Sequence, residues 1–235
     1  GSTPASWSTR AASWSAVALR CGCATLAAGQ APASATAAAA TPSGGGAPPR
    51  QLAIANKPWT GDFDAMLKRR MIRVAAPYSR SLYYSDKGRE RGLAAELVRD
   101  FERWLNQKYA KELGKRPLTV YLVPATRDRL LPDVAGGLAD VAVGNLTVTE
   151  ERLRVVDMVS PAGVRDVREV LVTGPTSPAV RSLDDLAGRT VHVRLASSYH
   201  ESLSALNERF VREGRDPVRL VPVPEALEDE DMMEM

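Results

Sequence analysis

From Asp62 to Pro222 the chain alternates short apolar runs with segments of helical period, and this alternation restricts the fold more than any other feature. "MIRVAAP" (Met71 to Pro77), "PLTVYLVP" and "DVAVGNLTV" read as strands. Asp62 caps a short helix over "DFDAMLKRR". "LAAELVRDFERWLNQKYAKEL" sets Leu93, Leu97, Phe101, Trp104 and Leu105 on one face of a longer helix, which Gly114 closes. "RDRLLPDVAGGLA" predicts a shorter helix with Pro132 near its first turn or at a kink. Strands separated by helices with short joins imply a parallel α/β sheet. The connection "YSRSLYYSDKGRERG" reads as a polar, tyrosine-rich loop. After Pro161 a second α/β unit begins. "VREVLVTGP", "TVHVRL" and "VRLVPVP" read as strands, and "SLDDLAG" as a capped helical turn. "SSYHESLSALNERFVREG" reads as an amphipathic helix ended by Gly214. "EALEDEDMMEM" predicts a helix opening with acids at its positive end, interrupted within the element. The expected organisation is a tail over 1–50, a first lobe over 51–165 and a partial second lobe over 166–235.

The tail has a different composition. Its short apolar run is broken by Arg20 and is too short to span a bilayer as a helix. It fits the apolar part of an export signal, with Ala33-Ser34-Ala35 as a cleavage site, or an Ala-rich disordered segment. Cys21 and Cys23 are the two cysteines, so no disulfide framework or zinc site is expected. Gly22 favours lipid attachment at Cys23, the one route to a membrane, whereas Arg20 stands against it. The net charge of +3 also originates in the tail. Residues 1–50 hold Arg10, Arg20 and Arg50 and no acid, which leaves 28 basic against 28 acidic residues in the remainder. An electroneutral folded part lacks the one-signed field that a nucleic-acid binder needs.

In an open α/β sheet, ligands sit beyond the carboxyl ends of the strands. Three polar segments fall there: the loop from Tyr78, the stretch Asn145 to Arg152, and "RLASSYH" from Arg194 to His200. Arg152 offers a planar fork of donors matched to a carboxylate, beside the Thr147 hydroxyl and the first turn of "TEERL". Arg194, Ser197 and Ser198, at the start of another helix, form the opposite jaw. Tyr78, Tyr83 or Tyr84 would wall the apolar part of a ligand. Simpler roles exist for each. Thr147 or Thr149 is a helix cap completed by Glu150 or Glu151, Arg152 pairs with Asp157, and Ser197 or Ser198 caps its own helix. His200 reads as a structural residue, and Glu228 and Glu230 as a charge run on an exposed helix face rather than a glycosidase pair. No catalytic residue, metal site or cofactor is expected.

"GNLTVTEERLRVVDMVSP" and "SPAVRSLDDLAGRTVHVRLASSYHESL" resemble the bacterial extracellular solute-binding proteins of family 3. The resemblance implies a two-lobed, periplasmic-binding-protein-like (type II) α/β fold, with the second lobe truncated, that closes on amino acids and related small anions. It implies that Thr147 and Arg152 hold the ligand carboxylate, and that Arg194 and the loop through Ser198 close over it. Members of that family carry glycine at the position of Asn145. Their second lobe continues past the equivalent of Met235, where an acid receives the ligand ammonium. "YYSDKGRERGLAAELVRDFERWLNQK", "VPATRDRLLPDV" and "ALEDEDMMEM" are similar to the sensor domain of the membrane-bound lytic murein transglycosylase F type. That similarity implies a periplasmic module, with attachment to the outer membrane as an added expectation, that senses an amino acid or muropeptide-like ligand. A hinge near Arg165 to Val170 would carry the signal to a separate peptidoglycan-cleaving domain. A free receptor for a transport permease is the other expectation.

Overall fold

The structure is a computed structural model in which residues 57–160 and 168–234 are described, with the backbone alone at 17–19. The cysteines, the proposed cleavage site, both lobe boundaries and half of the proposed hinge lie outside the described residues.

The first lobe is built on a five-stranded sheet. Its elements in chain order are β1 (Val17–Leu19), α1 (Phe63–Arg69), β2 (Met71–Pro77), β3 (Tyr84–Asp86), β4 (Arg89–Arg91), α2 (Leu93–Lys108), α3 (Ala110–Leu113), β5 (Thr119–Ala125), α4 (Arg127–Ala135), β6 (Val141–Ala142), α5 (Glu150–Leu153) and β7 (Asp157–Val159). Strand order is β5-β2-β6-β1-β7. β2 runs parallel to β5 from Met71↔Thr119 to Pro77↔Ala125, and parallel to β6 on its other side. The backbone of β1 pairs antiparallel with both β6 and β7, so part of the expected tail joins the sheet.

β2 is buried at every position because helices cover both faces of the sheet, which explains its continuous apolar reading. Ile72, Val74 and Ala76 pack with Met66, Val98 and Leu105 on one face. Ala75 packs with Leu130, Val134 and Leu146 on the other. The exception is Arg73, fully buried mid-strand. Its guanidinium donates to Asp140 Oδ1 at 2.6 Å and to the carbonyls of Lys57, Trp59 and Gly137, so its charge and donors are matched without water.

Asp62 caps α1 as expected, its carboxylate accepting from the Ala65 amide at 2.8 Å. The buried face of α2 differs from expectation. Ala94, Ala95, Val98 and Leu105 are buried, with Phe101 packed against them, whereas Leu93, Leu97 and Trp104 are exposed. The small Ala94 and Ala95 let the helix lie close to the sheet, and Trp104 stacks on Phe101 instead of entering the core. Part of the expected polar loop is a β3–β4 hairpin. Lys87 and Gly88 both have positive φ, the geometry that suits a two-residue turn to the strand twist.

The second lobe contains a 3-10 turn (Leu183–Leu186), β8 (Thr190–Val193), α6 (Ser198–Arg212), β9 (Arg219–Pro222) and α7 (Asp229–Glu234). β8 and β9 pair in parallel, and α6 covers them through Leu203, Leu206 and Phe210. The expected capped turn is present, with Ser182 and Asp185 forming a capping box. The expected strand "VREVLVTGP" is not: residues 168–174 have no ladder partner, and Val170 and Val172 are exposed. An apolar run forms a strand only where a sheet edge receives it.

Asp140→Ala would leave the Arg73 charge buried and uncompensated. We expect a loss of about 3–5 kcal/mol, read as a lower urea midpoint at unchanged m-value.

Candidate functional site

The carboxyl ends of β2, β5 and β6 lead into three segments rich in Arg, Ser and Thr, and the second lobe faces them with the loop after β8. Of the two threonines weighed as a cap for α5, it is Thr149 that caps, its hydroxyl accepting from the Arg152 amide at 3.3 Å. This fixes Arg152 in a single helical turn and sends its guanidinium back toward Thr147 and across to the second lobe.

The Arg152 side chain is 10% exposed. Nη1 donates to the Thr147 carbonyl at 3.2 Å, Nη2 to the Ala196 carbonyl at 3.1 Å, and Nε to Glu201 Oε1 at 3.0 Å. The Ser198 hydroxyl donates to the Thr147 hydroxyl at 3.2 Å. Thr147, Arg152 and Ser198, three of the predicted site residues, therefore meet where the two lobes touch. The acid held by Arg152 is Glu201, from the first turn of α6, which the sequence reading did not single out.

The other predicted residues have different surroundings. Ser197 caps α6, accepting from the His200 amide at 3.2 Å and donating to the Arg194 carbonyl at 2.6 Å. Arg194 is buried but turns into its own lobe, donating to the Leu227 carbonyl at 2.7 Å and to Asp229. Tyr199 also donates to Asp229, and burial, followed by that carboxylate, raises its phenol pKa. Asn145 is exposed and adopts φ 53°, a left-handed turn that asparagine tolerates better than most residues. Close packing falls on its neighbour instead, because a Cβ on Gly144 would lie 2.8 Å from the Pro77 ring. Tyr78 is exposed, and its ring meets Tyr83 edge-on at 6.4 Å. Among the described residues, no three His, Cys, Asp or Glu side chains converge as a metal-holding group. Nor is any described helix long and apolar enough to cross a membrane.

Residues 71–219 match the profile of the bacterial extracellular solute-binding proteins, family 3. The chain belongs to this family. Among curated relatives, the family-3 chain is 24% identical over 133 residues to the L-cystine-binding protein TcyJ of Escherichia coli K12, an alignment covering 57% of the chain and 46% of TcyJ. It thus spans about half the length of the curated relatives it matches. Similar solved structures include a putative L-cystine ABC transporter from Listeria monocytogenes, with TM-score 0.48, 15% identity and coverage of 68% and 62% of the two chains. Another is an amino acid ABC transporter substrate-binding protein of Streptococcus pneumoniae bound to L-arginine, with TM-score 0.47, 21% identity and coverage of 73% and 65%. The two α/β lobes are those of the type II periplasmic-binding-protein-like fold.

In this family-3 chain the rim carries a second set of residues. Glu228, expected on an exposed charged face, is 3% exposed. Arg127, at the start of α4, grips it with Nε at 2.9 Å from Oε1 and Nη2 at 2.6 Å from Oε2, and donates to the Gly144 carbonyl at 2.7 Å. Around this buried pair, Ser81 donates to Glu230 at 2.9 Å, and Arg80 to Asp231 at 2.7 Å and Glu234 at 3.0 Å. The Glu228 amide, followed by Arg80, holds the Asp231 carboxyl below the usual carboxylate range. Glu228 is buried because a fork of donors from the other lobe meets it, and spacing along the chain cannot show that. The signal that could have found Arg127 is its place just beyond the carboxyl end of β5.

Glu228→Ala would strand the Arg127 guanidinium between the lobes. A destabilisation of about 3–5 kcal/mol is expected for loss of such a buried partner, and chemical unfolding monitored by tryptophan fluorescence would measure it.

Proposed function

We propose that this chain is a periplasmic solute-binding module that closes its two lobes on an amino acid or a related small carboxylate, without bond chemistry. The observation that carries the reading is Arg152. Its guanidinium is nearly buried at the contact between lobes, holds a carboxylate and reaches backbone carbonyls of both lobes. A guanidinium so placed is built to recognise a planar anion. Thr147 and Ser198, hydroxyls from opposite lobes, would join it on the ligand. Membership of family 3 and the similarity to a cystine-binding protein support the amino-acid class.

A thermal-shift screen of amino acids and stem peptides tests this, because a bound ligand raises the melting temperature by mass action. Arg152→Ala should weaken the best hit by about 2–4 kcal/mol, roughly thirty- to several-hundred-fold in Kd, the range for removing one partner of a buried charge pair. Calorimetric titration would measure the change, with circular dichroism confirming that the variant folds. Unchanged affinity would remove Arg152 from the site.

The finer reading places this module ahead of a peptidoglycan-cleaving domain at the outer membrane, with occupancy of the cleft regulating cleavage. The sequence similarity to the transglycosylase sensor domain supports it. Purified peptidoglycan incubated with this chain should release no anhydro-muropeptides, whereas the full-length parent should release them at a rate that the ligand alters. A parent that releases none leaves the transport receptor as the better reading.

A further inference from the structure

We infer that the amino end of the first-lobe sheet is a docking surface for an anionic lipid membrane, on which the module lies with its cleft turned away.

β2 and β5 run in parallel and start side by side, at Met71 and Thr119. The chain just before each start is basic. Lys68-Arg69-Arg70 precedes β2, and the stretch from Lys108 to Pro117, ahead of β5, holds Lys108, Lys111, Lys115 and Arg116 against one acid, Glu112. The two segments are bound to each other. Arg70 donates to the Leu113 carbonyl at 2.6 Å and to the Arg116 carbonyl, and its own carbonyl accepts from the Thr119 amide at 3.0 Å. Phe63 of α1 meets Tyr109 with ring centres 5.2 Å apart. Arg70 is thereby spent on carbonyls, and Arg69 lies 4.6 Å over the Trp59 ring. Lys68, Lys108, Lys111, Lys115 and Arg116 are left exposed, and none of the five makes a salt bridge among the described residues. The acids Asp100 and Glu102 of α2 are matched by Arg103 and Arg99.

Overall neutrality hides a separation of charge. The segment from Glu225 to Glu234, at the cleft rim, carries six acids and no base. The opposite end of the lobe carries the unpaired lysines. In front of an anionic plane such a distribution aligns the molecule, with the amino end of the sheet inward and the cleft outward.

Two observations fit a lipid surface better than another polyanion. Four of the five exposed bases are lysines, flexible point charges suited to a diffuse layer of headgroups rather than planar forks that read one phosphate or base edge. Beside them α2 presents Trp104, 48% exposed, with the Lys108 ammonium 4.5 Å over its ring, and Leu97, 45% exposed, about two turns earlier. An exposed indole and a leucine next to lysines compose a face that rests in the headgroup layer. No described helix can cross a bilayer, so the contact is peripheral, and it is independent of lipid attachment at Cys23.

Co-sedimentation of the full chain with vesicles tests this. The chain should sediment with vesicles of phosphatidylcholine and phosphatidylglycerol in equal parts, and not with phosphatidylcholine alone. Raising the salt should weaken the binding steeply. The triple variant Lys111→Gln, Lys115→Gln, Arg116→Gln should weaken it by about a hundredfold, at roughly fivefold for each charge near an anionic leaflet. Removing as many exposed charges elsewhere, in Arg89→Gln, Arg91→Gln, Arg212→Gln, should change it less than about threefold. Trp104→Ala should weaken binding at high and low salt alike, and Cys23→Ser should bind as the native chain does. Circular dichroism confirms that each variant folds, and the result is independent of the clamp reading because the variants leave the rim intact. No sedimentation with the anionic vesicles, equal loss in both triple variants, native binding in Trp104→Ala, or loss in Cys23→Ser overturns the inference. So does a DNA duplex or purified peptidoglycan held as tightly as the anionic vesicles.

Discussion

A guanidinium withdrawn from water must find a carboxylate and enough carbonyls to occupy its donors, and this requirement shapes the chain at every level. Arg73 meets it inside the sheet, with Asp140 and three carbonyls. Arg127 meets it between the lobes, with Glu228 and the Gly144 carbonyl. Arg152 meets it with Glu201 and a carbonyl from each side. Arg194 turns inward to Leu227 and Asp229. A lysine could not take these places, because one rotating ammonium cannot aim several donors along fixed directions. The arginines do more than add charge: each ties together segments that no apolar contact would hold in the same register.

The consequences differ with location. Within the first lobe, Arg73 is part of the scaffold and lies between helices that cover both faces of β2. At the rim the same pairing joins parts that are separate in the chain. The segment from Glu225 to Glu234 lies along the first lobe through acids that meet Arg127, Arg80 and Ser81. The exposed members of this set contribute little in water, because solvent screens them. Glu228 is different, since its burial makes the loss of either partner costly. The contact between lobes therefore rests on the dry Arg127–Glu228 pair and the nearly buried Arg152 with Glu201, with weak exposed pairs around them.

Much of this was legible in the sequence and part was not, for a consistent reason. Local regularities carried well: the strand–helix alternation, the cap at Asp62, the turn at Ser182 and the end of α6 at Gly214. The buried face of α2 departs from the sequence pattern because large apolar residues dominate that pattern, whereas close approach to a sheet favours the small Ala94 and Ala95. "VREVLVTGP" has the composition of a strand, yet strands exist only in pairs. At the rim, Thr147, Arg152 and Ser198 come together because each follows the carboxyl end of a strand. Glu201 and Glu228 were missed because their partners lie 49 and 101 residues away in sequence, and only the fold brings them together.

The same requirement bears on any solute proposed for the rim. The Arg152 guanidinium spends three donors on Thr147, Ala196 and Glu201. An anion that displaced Glu201 would leave that carboxylate to water, which its 28% exposure permits. Selectivity in a site of this kind would be set less by the strength of any single hydrogen bond than by the requirement that no buried charge be left alone.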